Sequence, residues 1–517
     1  GKHSFAPCDG PHAADSQSLR TRGQSDEWLL TTGNGGFAFG TTSGVPCRQY
    51  HTLLNAASTP PVGRIATVSG IDETISTANG SFDLARYNFA DGSSGPGNAA
   101  SLVRFVKDRT SVAWVYEVPG VKLTKSLHVG WRRNQAAVRY TVEADSPVKL
   151  TLRPRLVVRD FHHLVEEVDR FSACRTDAGV CVSADNHTVT IASDTGTYVD
   201  DPNVTELVDY SLTREREAKK TLGELLWSPG TFHVDCAAGT SRHTVAFALA
   251  PEEPDLALPD RREREEHLDR VHASAAKAYG SEELARSLRP VIEAADDYLV
   301  TRLVAGRKLM TVIAGYPWFA DWGRDTMICL PGLMLTCGRF DEARSCLETF
   351  ASFVSEGMVP NRFDDADDTK AHYNTVDASL WYLQAVRSYA RASGQALKAN
   401  SILLDAAKQV IAGYERGTRY GISVDPVDGL VTAGDATTQL TWMDALRDGI
   451  AFTPRYGKCV EINALWCNGL RAVAELLTTE EPGLAAELRK KADRAAASFS
   501  AAFVRPDGLG LYDRLQP

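Results

Sequence analysis

The 517-residue chain contains no run of about 18 apolar residues, so no membrane-crossing helix is expected. Its first 25 residues, GKHSFAPCDGPHAADSQSLRTRGQS, lack the apolar core of a secretory signal and read as a flexible lead-in. The missing initiator Met says nothing about export. There is no excess of basic charge. With 56 Lys and Arg against 66 Asp and Glu, the net charge of −10 argues against nucleic acid or an anionic membrane as the main partner. A neutral ligand would be indifferent to it. None of the ten cysteines forms a C-x-x-C pair, and several sit in apolar, helix-like surroundings. Free buried thiols in a reducing compartment, the cytoplasm, are expected. No His/Cys/Asp cluster has metal-ligand spacing, and adjacent His162 and His163 would not face one ion from a strand. Neither metal nor cofactor is expected. The glycines at 33, 35, 36, 40 and 44 lack the Gly-Lys-Ser/Thr that completes a phosphate loop, so they read as turns between short strands. No repeat with a period of 20–50 residues is visible.

What is present divides the chain. Its length exceeds one ordinary core, and 43% hydrophobic with 24% charged residues is a globular composition. From about 100 to 250 the hydrophobic period is two, as in Val121-x-Leu123, Val138-x-Tyr140-x-Val142 and Val148-x-Leu150-x-Leu152. Turn signals punctuate these runs, which indicates an antiparallel β-sandwich over 26–250. Within it, Arg48, Tyr50 and His51 either contact ligand or pack, with packing favoured. Residues 251–282 hold three prolines and the mixed-charge run DRREREEHLDRVHASAAKAY, expected as a linker with a solvent-exposed helix. After 283, helical stripes take over: Leu284, Leu288, Ile292, Ala295 and Leu299, then Phe340, Ala343, Leu347, Phe350 and Val354. Further helices are expected over 376–392, 399–416, 460–477 and 483–503, forming hairpins that must stack to bury their faces.

The stretch Gly315–Ile328, GYPWFADWGRDTMI, interleaves Trp318 and Trp322 with Arg324, Asp325 and a second aspartate. Indole faces beside fixed charges suit a sugar ring, whose C–H face stacks while its hydroxyls bond to carboxylate and guanidinium. A buried tryptophan cluster with an Arg–Asp pair locking a loop is the structural alternative. Three other loops also mix carboxylates with aromatics: 360–382, 437–445 and 453–466. Together they offer Asp325, Asp377, Asp444 and Glu461 as acids or bases. Glycoside hydrolysis needs one carboxyl to protonate the leaving oxygen and another to activate water. Asp444 is the choice for the acid, because its neighbours Trp442 and Met443 would desolvate it. The alternative is that Asp444 caps a following helix. The acidic run at 364–368 lacks the glycine and glutamate of a calcium loop and reads as a solvated loop.

Several motifs agree in order with a known family. EWLLTTGNGGFAFGT and RQYHTLLNA, followed by GYPWFADWGRDTMICLPGL, NTVDASLWY, TWMDA and TPRYGKCVEINALW, resemble the glycogen debranching enzyme family over residues 26–517. The resemblance is to its amylo-α-1,6-glucosidase portion and free-standing microbial relatives. It implies an N-terminal antiparallel β-sandwich followed by an (α/α)6 toroid. It also implies inverting, exo-type hydrolysis of single α-1,6-linked glucose stubs on glycogen or a branched α-glucan oligosaccharide. By the same resemblance Asp444 is the general acid, and Trp322, Arg324 and Asp325 grip the terminal glucose. Asn374, Asp377, Trp381 and Glu461 line the pocket, with Trp318 and Trp442 added as further contacts. An Arg324–Asp325 pair on two sugar hydroxyls would contribute about 1.5–3 kcal/mol for each charge-assisted bond. The stretch 283–517 supplies about half of the toroid's helices, so the toroid is expected to be incomplete in this chain. The general base is expected beyond residue 517, and this chain alone is expected to be inactive. No transferase barrel is expected, and a second, transferase activity is not predicted. The rivals are a glucoamylase-like or trehalase-like exo-glycosidase, and a non-catalytic glucan-binding protein.

Overall fold

The computed structural model describes residues 12–15, 18–19, 23–212, 223–364 and 370–516. The chain forms two compact units, Gly1–Arg270 and Val271–Pro517.

The first unit is built from two antiparallel sheets. The nine-stranded sheet runs in the order His12–Asp15, Leu102–Lys107, Ser111–Val118, Val121–Val129, Gln135–Ala144, Gly239–Leu249, His187–Ser193, Gly179–Ala184 and Phe171–Arg175. The second runs Thr197–Val204, Trp227–Cys236, Val148–Asp160, Val62–Thr77, Thr52–Thr59, Phe37–Thr41 and Glu27–Thr31, with Gly80–Asp83 paired to Val62–Thr77. One apolar core joins both sheets and includes Val112, Leu123 and Val138 from the first with Leu54, Val68 and Leu150 from the second. This is the sandwich that the alternation of apolar residues specifies, because successive side chains on a strand point to opposite faces. Part of the expected lead-in is ordered: His12–Asp15 adds an edge strand against Leu102–Lys107, satisfying backbone groups that would otherwise face water.

The RQYH motif is structural in this unit. Arg48 Nε donates to Glu27 Oε1 at 2.7 Å, and His51 Nε2 bonds the same oxygen at 2.7 Å. The Cys47 backbone N–H donates to His51 Nδ1, which leaves the proton on Nε2 to point at Glu27. Tyr50 reaches His162 Nδ1 at 2.9 Å.

A charge pair lies inside the sandwich. Lys125 Nζ stands 2.6 Å from Glu73 Oε1, and Tyr140 donates to the same oxygen at 2.7 Å. Burial pushes the Glu73 carboxyl up, against the pull of Lys125. Removing one partner strands the other charge, so Lys125→Met is expected to lower the unfolding free energy by about 3–5 kcal/mol. A double variant with Glu73→Gln should recover part of this in urea denaturation. No recovery would show that the pair is not coupled.

The helix expected as a solvent-exposed linker, α1 (Glu263–Tyr279), is amphipathic: Leu268, Val271, Ala275 and Ala276 are buried. Its start is tied down within the first unit, where Arg264 lies 3.9 Å above the Trp131 ring and His267 stacks beside that ring. The stripe from Leu284 to Leu299 does not form one helix. Instead α2 (Glu282–Ser287) and α3 (Arg289–Asp297) are separated at Leu288, and Leu299 begins a hairpin, Leu299–Val304 with Arg307–Val312. Pro290 explains the break, because it lacks an N–H and its ring clashes with the preceding turn. Leu284 and Leu288 are exposed, and Ile292 is buried.

The second unit continues with α4 (Gly323–Leu330), α5 (Phe340–Ala351), α6 (Ala378–Ser393), α7 (Ile402–Arg416), α8 (Val460–Leu476) and α9 (Pro482–Phe503). Helix α6 packs on α4, α5, α7 and α8, and α8 packs on α9. Their apolar stripes meet in one core containing Leu347, Phe350, Tyr382, Tyr414, Trp466 and Phe503. The helices alternate, so α4, α6 and α8 share one role and α5, α7 and α9 the other. Among the described residues no helix is long and apolar enough to cross a membrane. Asp364 is described, whereas the rest of the acidic run, Asp365, Asp367 and Asp368, lies outside the described residues, as does most of the lead-in. The nine described cysteines are all free, and Cys174 is exposed rather than buried.

Candidate active site

The N-terminal ends of α4, α6 and α8 each carry a carboxylate: Asp325 in the first turn of α4, Asp377 at the N-cap of α6, and Glu461 in the first turn of α8. A helix N-terminus is the end that tolerates negative charge, because its free N–H groups and dipole favour it. Alternating helices thus present an acidic face at the same end. The loops between them carry the remaining groups.

Arg324 is the first hub. It is 9% exposed. Its Nε donates to Asp377 Oδ2 at 2.7 Å, and its Nη1 donates to Asp444 Oδ2 at 2.8 Å. Its Nη2 donates to Thr375 Oγ1 and to the Thr441 carbonyl, both at 3.1 Å. Burial opposes the charge, but Asp377 and Asp444 together hold the guanidinium above its ordinary range. The four contacts use most of its N–H groups and tie three segments of the chain together. Asp377 is 2% exposed and also accepts from Thr375.

Arg455 is the second hub, and sequence reasoning missed it. Its Nη1 and Nη2 bind Glu461 in a bidentate fork at 2.5 and 2.7 Å. Its Nε and Nη2 bind Asp513 at 3.0 and 2.8 Å. Nη1 also donates to Thr441 Oγ1 at 3.3 Å. The two hubs therefore meet on one residue, Thr441, which is 2% exposed. The one available signal was an arginine within a loop already singled out for its carboxylate, TPRYGKCVE.

Asp325 differs from its neighbours. No other side chain among the described residues hydrogen-bonds it. Burial pushes its carboxyl above the ordinary value, nearby Asp444 and Asp377 add to this, and Arg324 opposes it. The second aspartate of the opening stretch, Asp321, has a purely structural place. It is fully buried against Arg302, with contacts of 2.9 and 2.7 Å, and it accepts from Thr311 at 2.9 Å.

Asp444 caps no helix. It is followed by the short hairpin Leu446–Arg447 with Ile450–Ala451. Its side chain is 30% exposed, and Trp442, expected to desolvate it, is itself 57% exposed. Its nearest charged partner is Arg324. Trp318, Trp322 and Trp381 are half-buried, and Trp322 packs edge-on against Phe319 at 5.8 Å. Asn374 immediately precedes Thr375, and its side-chain oxygen is buried with no hydrogen-bond partner among the described residues.

Gly323 brings the opening stretch into place. Its N–H donates to Asn361 O at 2.6 Å, and a Cβ there would stand 2.1 Å from the Pro360 carbonyl oxygen. Gly323→Ala must push apart the two segments that frame Arg324, a cost of about 3 kcal/mol on the scale of an overpacked core. Thermal denaturation measures it, and a melting point equal to wild type would contradict the close approach.

Comparison with known proteins fits this architecture. A bacterial glucoamylase complexed with acarbose superposes with a TM-score of 0.50 at 13% identity, over 95% of this chain and 71% of that one. The β-sandwich followed by a helical unit is therefore the fold of the (α/α)6 glycosidases. Two family models match: "Glycogen debranching enzyme N terminal" over 26–243, and "Amylo-alpha-1,6-glucosidase" over 293–517. The chain belongs to the glycogen debranching enzyme family. The glycogen debranching enzyme of Saccharomyces cerevisiae is 28% identical over a 234-residue alignment that covers 34% of this chain and 15% of that protein.

Proposed function

We propose that the protein is a glycoside hydrolase that removes single α-1,6-linked glucose stubs from glycogen-like glucans by inverting exo-hydrolysis. One observation carries this reading. Within a debranching-family domain, Asp444 and Asp325 flank a guanidinium that fixes Asp377, Asp444 and Thr441 together. Asp444 protonates the glycosidic oxygen. Trp318, Trp322, Trp381 and Trp442 supply faces for the sugar rings, while Asp325 and Asn374 offer it hydrogen-bonding groups with no other side-chain partner. Glu461 and Asp377 hold the frame through Arg455 and Arg324. The nine free described cysteines suit a reducing compartment such as the cytoplasm.

The test is release of free glucose by the full-length protein from a phosphorylase-limited branched glucan, with maltose and trehalose as controls. Proton NMR of the first product gives its anomeric form. Trehalose as the better substrate, or glucose released with retained configuration, would sink the proposal.

A second assignment of the acid is favoured by a specific observation. Asp325 is the site carboxyl that burial pushes up, whereas Asp444 is held by a guanidinium. A carboxyl raised above its ordinary value is suited to donating a proton. Glucosyl fluoride distinguishes the two, because its leaving group departs without a proton. The variant, Asp444→Asn or Asp325→Asn, that retains turnover of the fluoride while losing the α-1,6 stub identifies the acid.

A further inference from the structure

We propose that Arg455 is a positioning residue of this site, which sets the 441–444 segment, and with it Asp444, through the hydroxyl of Thr441. This deepens the hydrolase proposal and rests on it for the kinetic consequence only.

A guanidinium is planar and rigid, so holding it on two carboxylates fixes the direction of every remaining N–H. Arg455 is held on Glu461 of α8 and on Asp513, residues separated by the rest of α8 and all of α9. Its side chain is 4% exposed, which leaves it little freedom to re-orient. Its hydrogen bonds to Glu461 hold it above its ordinary range, with Asp513 adding to this and burial opposing it. The N–H directed at Thr441 Oγ1 is thus aimed by its surroundings.

Thr441 is clamped from both sides. Arg455 takes its hydroxyl at 3.3 Å and Arg324 its carbonyl at 3.1 Å. The same hydroxyl accepts the Met443 N–H at 3.4 Å, which turns the chain toward Asp444. From Thr441 to Asp444 the chain has no helix or strand of its own, and Trp442 is largely exposed. No ladder holds this segment; Leu440 roots it in the core and accepts the Val376 N–H at 2.9 Å. Beyond Leu440 the clamp on Thr441 sets the course of the chain toward Asp444 and Arg324. A lysine at 455 would supply a point charge without the fork that reaches Glu461, Asp513 and Thr441 together.

Thr441→Val tests this in the full-length protein, since it removes the hydroxyl and leaves every ion pair in place. Thr441→Ser restores the hydroxyl, and Arg455→Lys weakens the fork from the other side. Hydrogen exchange of the peptide covering 437–448 is expected to quicken about tenfold in Thr441→Val and Arg455→Lys, as for one lost hydrogen bond to a charged group. Peptides from α6 should be unchanged, and Thr441→Ser should match wild type. On branched glucan, kcat should fall about tenfold with KM held within about twofold, the signature of a misplaced catalytic group rather than lost binding. Unchanged exchange in Thr441→Val overturns the proposal, as does a lower melting point with unaltered kcat per folded molecule. A wild-type protein without glucosidase activity would instead remove the function proposed above, while the exchange comparison still decides the role of Arg455.

Discussion

Asp444→Asn is expected to abolish hydrolysis of α-1,6 stubs while leaving oligosaccharide binding nearly intact. The amide keeps the size of the side chain and can still face Arg324, whose Nη1 donates to Oδ2 at 2.8 Å. What it loses is the proton that the leaving oxygen needs. General acid catalysis contributes on the order of 10²–10⁴ in rate, so kcat should drop by that range. Calorimetry with a maltooligosaccharide should give a Kd close to that of wild type. Retained turnover would remove Asp444 from the acid role and leave Asp325 as the candidate. Loss of both binding and fold would mean that Asp444 serves Arg324 and not the substrate.

Arg324→Met should have the largest effect on stability in the second unit. The methionine fills the stem of the arginine but leaves Asp377, 2% exposed, with the Thr375 hydroxyl and no counter-charge. Stranding one partner of a buried pair costs about 3–5 kcal/mol. It also releases the Thr441 carbonyl and Asp444, so activity should be lost in whatever fraction folds. Arg324→Lys is expected to fall in between, because an ammonium carries the charge but cannot span three segments at once. Denaturant unfolding reads both variants. An unfolding free energy within about 1 kcal/mol of wild type for Arg324→Met, the size of an ordinary point substitution, would show that Arg324 is not the hub its contacts indicate.

How the site came to be legible in part follows from these residues. The opening stretch drew notice because charged and aromatic residues are interleaved where a helix or strand would separate them. That signal singled out the stretch, yet it could not apportion the three charges. In the folded chain Asp321 is a buried anchor for Arg302, Arg324 ties loops together, and Asp325 alone lacks another side-chain partner. Within four positions of one another in sequence, they differ because each helical or turn position points a side chain in its own direction. Arg455 and Asp513 escaped notice for the opposite reason. Each is an ordinary charged residue, and their significance lies in pairing with each other, 58 residues apart along the chain.

The helical reading failed at one place for a local reason. The stripe from Leu284 to Leu299 has the right spacing, but Pro290 sits inside it and the chain turns into a hairpin after α3. The mixed-charge helix α1 was read as solvated throughout because charge dominates its first half. Its alanines at 275 and 276 are small enough to be buried without announcing it.

By itself the sequence determined the sandwich, the helical unit after it, and the membership that six motifs carry in order. Those features depend on local periods and on residues read where they stand. Only the tertiary structure decided which charges pair with one another. Ion pairing depends on where rigid elements bring distant groups, and neither composition nor spacing encodes that the N-terminal ends of α4, α6 and α8 carry their carboxylates beside two arginines that meet on Thr441.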